Sequence, residues 1–137
     1  VDRYLPYLLA RASHLISGEF HATLERERIP VMHWRVLCSL LEGPVSVSEL
    51  ADIVIAKQPT VSKLLARMEK QGLITRESDP ADGRGVVVST TPAGTRLVEP
   101  LVRLAKEHES SVLEPLGRQD AGALVEILGQ LIRQHAR

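Results

Sequence analysis

The chain has 137 residues, 44% hydrophobic and 25% charged, which is the size and composition of one ordinary globular domain. Seventeen basic residues balance seventeen acidic ones, so any polyanionic partner has to be read from local charge rather than net charge. No apolar run approaches a bilayer span, aromatic residues make up only 3%, against single-strand binding by base stacking, and the lone Cys38 excludes an internal disulfide. The sequence opens with no basic, apolar and small-residue series in order, so no signal peptide is visible, and the lone cysteine suits a reducing cytoplasm, where the protein is expected.

From Tyr4 to Leu24 the residues Leu5, Leu8, Leu9, Ala12, Leu15, Ile16, Phe20 and Leu24 recur at helical spacing and predict a long amphipathic helix. Glu25 to Pro30 is a charged connection, and Val31 to Leu41 reads as a second helix closed by Gly43 and Pro44. Ser46-Val47-Ser48-Glu49 has capping-box spacing and starts a short helix that runs to about Val54. After a tight turn, Pro59 suits the first position of the next helix and Gly72 the position just past its end.

The pattern then changes. Leu73 to Glu77 and Val86 to Thr90 are rich in β-branched residues, and Ser78 to Gly85 between them is dense in turn residues, which predicts a hairpin with a protruding loop. Thr91 and Pro92 start another helix, continuing to about Leu113 with Pro100 as a kink inside it. Pro115 and Gly117 break the chain, Asp120 is expected to cap, and Leu124, Ile127, Leu128, Leu131 and Ile132 mark the last helix.

Two short helices joined by a tight turn and followed by a hairpin make a winged helix-turn-helix, so the expected class is α+β, mostly α. A single domain 1–137 is expected, with the winged helix-turn-helix over 31–91 and N- and C-terminal dimerisation helices over 1–28 and 93–137. These terminal helices carry broad apolar stripes that a small winged-helix core has little room to cover, and pairing of two chains is the economical solution.

In the stretch from Lys57 to Gly72, Val61, Leu64, Leu65 and Met68 share one stripe, and the opposite face carries no carboxylate before Glu69. The second helix of a helix-turn-helix enters the major groove with its N-terminal end against base edges. Short residues there let the backbone approach, so Gln58, Pro59, Thr60 and Ser62 are candidate contacts, Gln58 being able to pair with adenine. Lys63 and Arg67 follow as the cations for phosphate or guanine, with Lys70 at the periphery. At the hairpin tip, Asp82-Gly83-Arg84 offers an arginine for a narrow minor groove and an acid to hold it; the same residues also suit an ordinary surface turn. A winged helix used as a protein-interaction module without DNA binding is the rival reading.

Trp34-Arg35-Val36-Leu37, Ser48-Glu49-Leu50-Ala51, Pro59 to Ser62, Met68 to Ile74, Arg76, Asp82-Gly83-Arg84 and Thr91 to Gly94 together resemble the multiple antibiotic resistance regulator (MarR) family of bacterial transcription factors. The likeness covers the whole chain in element order. It implies a ligand-responsive homodimer with winged-helix lobes that binds a pseudopalindromic operator on double-stranded DNA, usually as a repressor. It also implies that Arg84 is the wing arginine with Asp82 as its partner, and it places Arg76 among the DNA-binding residues. His33 stands where the family usually has a Gln, and Pro100 interrupts the long dimerisation helix.

Many relatives respond to small aromatic acids bound between dimerisation helices and DNA lobes. Tyr7, Arg11, His14 and His21 share a stripe on the first helix, and His33, Trp34 and Cys38 lie on the second. In this reading Arg11 or His14 holds a carboxylate and Trp34 walls the ring, the alternative being a solvated stripe and a core Trp. Metal sensing through His14, His21 and His108 lacks the i, i+4 spacing of helical sites, so no metal is assigned. Cys38 reads as a packed residue rather than a redox switch, since redox-sensing relatives carry their cysteine near the start of the first helix. Nothing points to an enzyme or to a cofactor: there is no phosphate loop, nucleophile elbow or carboxylate pair.

Overall fold

Apolar periodicity and caps carry most of the architecture. The computed structural model describes residues 2–81, 83 and 85–136. In chain order it contains α1 (Leu5–Arg26), α2 (Val31–Ser39), β1 (Val45–Ser46), α3 (Val47–Ile53), α4 (Gln58–Lys70), β2 (Ile74–Ser78), β3 (Val86–Thr90), α5 (Pro92–Leu113), a 3₁₀ turn (Glu114–Leu116) and α6 (Arg118–His135). This is the mostly helical winged helix-turn-helix that the sequence predicts.

The chain divides into two compact units, Val1–Val102 and Arg103–Arg137. In the first, Val36 and Leu37 of α2 and Leu40 at its C-cap, Leu50 and Val54 at α3, and Val61, Leu64, Leu65 and Met68 of α4 close one core with Ile74, Val88 and Val98. The stripe read from the α4 sequence is thus its buried face. Phe20 and Leu24 anchor the end of α1, where Phe20 meets Trp34 with ring centroids 5.2 Å apart at 50°. That tilted arrangement suits two ring quadrupoles. The first half of α1 leaves Leu5, Leu8 and Leu15 in solvent.

In the second unit α6 follows the 3₁₀ turn, and Val125, Ile127 and Ile132 on it are exposed. Its N-cap is Gly117, at φ +81°, with no side-chain cap. Asp120 therefore does not cap the helix as expected; it sits inside the first turn, where a carboxylate still favours the helix dipole. Pro100 does not interrupt α5, which is helical on both sides of it.

The sheet has the order β1-β3-β2, all antiparallel, with Arg76 opposite Val88 and Ile74 opposite Thr90. The two-residue β1, Val45 and Ser46 against Val88 and Val87, is too short to leave a periodic signal and was not expected. Ser46 caps α3 as its sequence implies, accepting from the Glu49 amide at 3.2 Å. Thr91 accepts from the Gly94 amide at 3.1 Å and donates to the Gly72 carbonyl at 2.6 Å, so one hydroxyl starts α5 and ties it to the end of α4.

Three helices of the first unit end in the same way. Ile29 N–H donates to the Leu24 carbonyl, Ala56 N–H to Ala51 and Leu73 N–H to Met68, each with the shorter bond one residue earlier. This is the Schellman arrangement, which needs a left-handed residue just past the helix cap. Gly72 (φ +77°) fills that place for α4, but Arg28 (φ +58°) and Ile55 (φ +57°) fill it for α1 and α3. A β-branched residue there is strained by about 1–2 kcal/mol.

Candidate nucleic-acid interface

The buried face of α4 leaves the other face outward by necessity. Gln58, Pro59, Thr60, Ser62, Lys63, Arg67 and Lys70 are all exposed. Lys63 and Arg67 enter no ion pair among the described residues, so both charges face solvent. Pro59 occupies the second rather than the first position of the helix, because Lys57 is the N-cap and Gln58 leads. Gln58 thereby stands at the N-terminal tip.

The helix and the hairpin are joined by one carboxylate. Along β2, Ile74 and Arg76 point to the same side of the strand, and Ile74 is buried in the core. Arg76 is thus turned toward α4. Glu69, in the last turn of α4, accepts the Arg76 backbone N–H on Oε2 at 3.0 Å. Its Oε1 accepts from Arg76 Nη2 at 3.1 Å and Nε at 3.4 Å. The Arg76 guanidinium and amide hold the Glu69 carboxyl below its ordinary pKa. Because β2 is an edge strand, the same carboxylate also satisfies an amide that the sheet leaves unpaired.

Two clefts flank α4. One, of about 350 Å³, lies toward the hairpin and is lined by Ser46, Ser48, Gln58, Ser62, Arg76 and Gly85, among others. The other, of about 470 Å³, lies toward the start of α2 and is lined by Met32, His33, Thr60, Lys63, Leu64 and Arg67 with neighbouring residues. His33 is buried there; its Nε2 donates to Gln71 Oε1 at 3.0 Å, while Nδ1 has no hydrogen-bond partner among the described residues.

The residues expected to bind an effector are not gathered into one place in this way. Tyr7, Arg11 and His14 are exposed on α1, Trp34 is half-buried against Phe20, and His33 belongs to the cleft beside α4. Cys38 is half-buried and burial pushes its thiol pKa up, which lowers its reactivity at neutral pH. Asp82 and Arg84, the expected wing residues, lie outside the described residues. Among the described residues no group of three His, Cys, Asp or Glu could hold a metal ion, and no helix is long and apolar enough to cross a membrane.

Sequence reasoning missed the Glu69–Arg76 clamp and the His33–Gln71 bond. The first had a signal: Glu69 is the one carboxylate on α4, seven residues before a cation on the following strand.

Comparison with known proteins agrees with this geometry. The model of the MarR family matches residues 29–85. The structure of a MarR family transcriptional regulator from Silicibacter pomeroyi is 32% identical, covers 96% of this chain and 95% of its own, and superposes with a TM-score of 0.84. The transcriptional regulator FarR of Neisseria gonorrhoeae is 28% identical over 91% of this chain and 86% of its own length. BpsR of Bordetella bronchiseptica, whose DNA binding is regulated by 6-hydroxynicotinic acid, is 28% identical with a TM-score of 0.80, over 99% of this chain and 96% of that one.

Proposed function

The chain belongs to the MarR family of DNA-binding transcription regulators, and on that premise we propose that it is a repressor acting as a homodimer on a pseudopalindromic operator. The observation that carries the reading is the outward face of α4, where Gln58, Thr60 and Ser62 precede the cations Lys63 and Arg67, which enter no ion pair among the described residues. Two such helices related by a twofold axis address half-sites about 10 base pairs apart. Arg84, partnered by Asp82, enters the minor groove beside each half-site, and Pro59 lets the helix tip come close. The terminal helices over 1–28 and 93–137 supply the dimer contact, which is supported by the exposed Leu5, Leu8, Leu15, Ile127 and Ile132.

The effector of this reading is a small aromatic acid, held by Arg11 or His14 and walled by Trp34, with Tyr7, His33 and Cys38 as further candidate contacts. Regulation of BpsR by 6-hydroxynicotinic acid supports that ligand class. The acid acts by binding more tightly to a lobe spacing that cannot engage both grooves, which needs only a few kcal/mol of differential affinity. A redox role for Cys38 is disfavoured by its burial.

Anisotropy titration of duplexes flanking the chain's own gene tests the reading. Affinity should fall steeply as salt rises. Arg84→Ala, Lys63→Ala and Arg67→Ala should each weaken operator binding by about 1–3 kcal/mol. Wild-type affinity in all three would refute the site, and sedimentation of only single chains would refute the dimer.

A further inference from the structure

A duplex that offers its major groove to α4 and the adjacent minor groove to the hairpin has one sugar-phosphate strand between those grooves. That strand has to run through the gap between α4 and the hairpin. The gap is the 350 Å³ cleft, whose lining carries the Ser46, Ser48 and Ser62 hydroxyls, the Gln58 amide and one cation among the described residues, Arg76. Hydroxyls, an amide and a guanidinium are donors that suit a phosphodiester oxygen.

Arg76 is not an unmodified positive charge in that cleft. Glu69 accepts from its Nε and Nη2, and from its backbone amide as well. An arginine has five N–H donors in a rigid fork. The donors that Glu69 leaves unused are still free to meet a phosphate, and the fork's direction is set by the carboxylate and by the strand to which it is tied. The carboxylate also sits at the C-terminal end of α4, where the helix dipole disfavours it. Holding the arginine is the compensation visible in the structure.

We infer that Glu69 is a positioning residue for DNA binding: it aims Arg76 at the backbone phosphate seated between α4 and the hairpin and offsets its charge, lowering attraction to duplex of any sequence. The inference rests on the DNA-binding reading above. The chemistry of the site is that of a phosphodiester in a strand, since its lining residues come from both α4 and the hairpin.

The test is a cycle of Glu69→Gln, Arg76→Gln and the double variant, titrated at two salt concentrations. The probes are a duplex retained by the wild-type chain from a randomised pool and a scrambled duplex of the same length. Removing the carboxylate should expose the full Arg76 charge. Glu69→Gln should then tighten scrambled duplex by about threefold and make the slope of log affinity against log salt steeper by about half of the roughly one unit that a full phosphate contact contributes. The preference for the selected duplex should fall several-fold. Arg76→Gln should make the slope shallower by about the other half of that unit. In the Arg76→Gln background, Glu69→Gln should change neither slope nor preference.

Glu69→Asp separates aim from charge: it keeps the charge, shortens the reach, and should lower preference for the selected duplex without changing the slope. Equal Glu69→Gln effects in both backgrounds would mean that the carboxylate acts only as a distant charge, and would overturn the inference. An unchanged slope in Glu69→Gln would overturn it too, even if thermal stability fell. Competition by inorganic phosphate beyond its ionic strength would indicate a free-anion site and would also count against it. Failure of the wild-type chain to retain any duplex is a different result, since it removes the DNA-binding reading itself.

Discussion

The region from α2 to the first half of α5 and the two outlying helical stretches, the start of α1 and all of α6, carry equally regular apolar patterns but use them differently. Leu50, Val61, Leu65 and Met68 are sealed, whereas Ile132 is 68% exposed and Val125 57%. Periodicity announces an apolar face in both regions; it does not say what covers it. In the first region other elements of the same chain do so. The outlying helices leave large side chains in solvent, as helices do when their partner surface is on another molecule.

The sharpest way to break this comparison is to apply the same truncation to both. Leu65→Ala should cost about 2–5 kcal/mol in urea unfolding, by lost burial and the cavity left behind. Ile132→Ala should cost a dilute, single chain under about 0.5 kcal/mol. Its effect should appear instead as a higher concentration at which chains separate in ultracentrifugation. Equal losses in the two variants would erase the distinction.

Gly94 probes how closely the sealed region is packed. A Cβ there would collide with the Leu73 carbonyl, the Thr90 hydroxyl and Leu37, all at the point where α5 leaves the hairpin. Gly94→Ala should destabilise by about 1–3 kcal/mol through overpacking. Gly122→Ala on α6 meets nothing within 4 Å and should be neutral or stabilising.

Ile55 sharpens the comparison in the opposite direction, since it is a strained place inside the sealed region. It is 89% exposed at φ +57°, so its side chain contributes almost no burial in return. Ile55→Gly should raise stability by about 1 kcal/mol, read as a higher Tm.

The smallest effect is the pH dependence of the Glu69–Arg76 clamp. The Glu69 pKa is lowered in the folded chain, so the unfolded chain binds the proton more readily just below the ordinary value of 4.5. The contribution is present in full above that value and is lost as pH falls through the folded pKa. Thermal unfolding of wild type should therefore lose more stability than Glu69→Gln on acidification through this window. Parallel curves would show that the clamp contributes nothing measurable.

Much of the fold was legible along the chain. Ser46 and Thr91 cap as their neighbours imply, Gly72 ends α4, and the hairpin strands lie within a residue of their expected bounds. Asp120 misled because a carboxylate near a helix start reads alike at the cap and within the first turn, and Gly117 takes the cap through its backbone alone. Ile55 and Arg28 gave no warning of left-handed backbone, since both are residues that usually avoid it. For the candidate interface, the outward face of α4 could be listed from helical spacing, but the partners of Arg76 and His33 could not.

Amino-acid order by itself determined, to within a few residues, where helices begin and end, which face of each is apolar, and that a hairpin follows the fourth helix. Those signals act over three or four residues, where caps, proline, glycine and side-chain spacing have their effect. The tertiary structure alone decided that Glu69 would meet Arg76 across the end of α4, that His33 would meet Gln71, and that the stripes of α4 would be sealed while those of α6 would not. Each of these depends on the angle at which one element leaves another, and that angle is set by the packing of the whole core rather than by any short stretch of sequence.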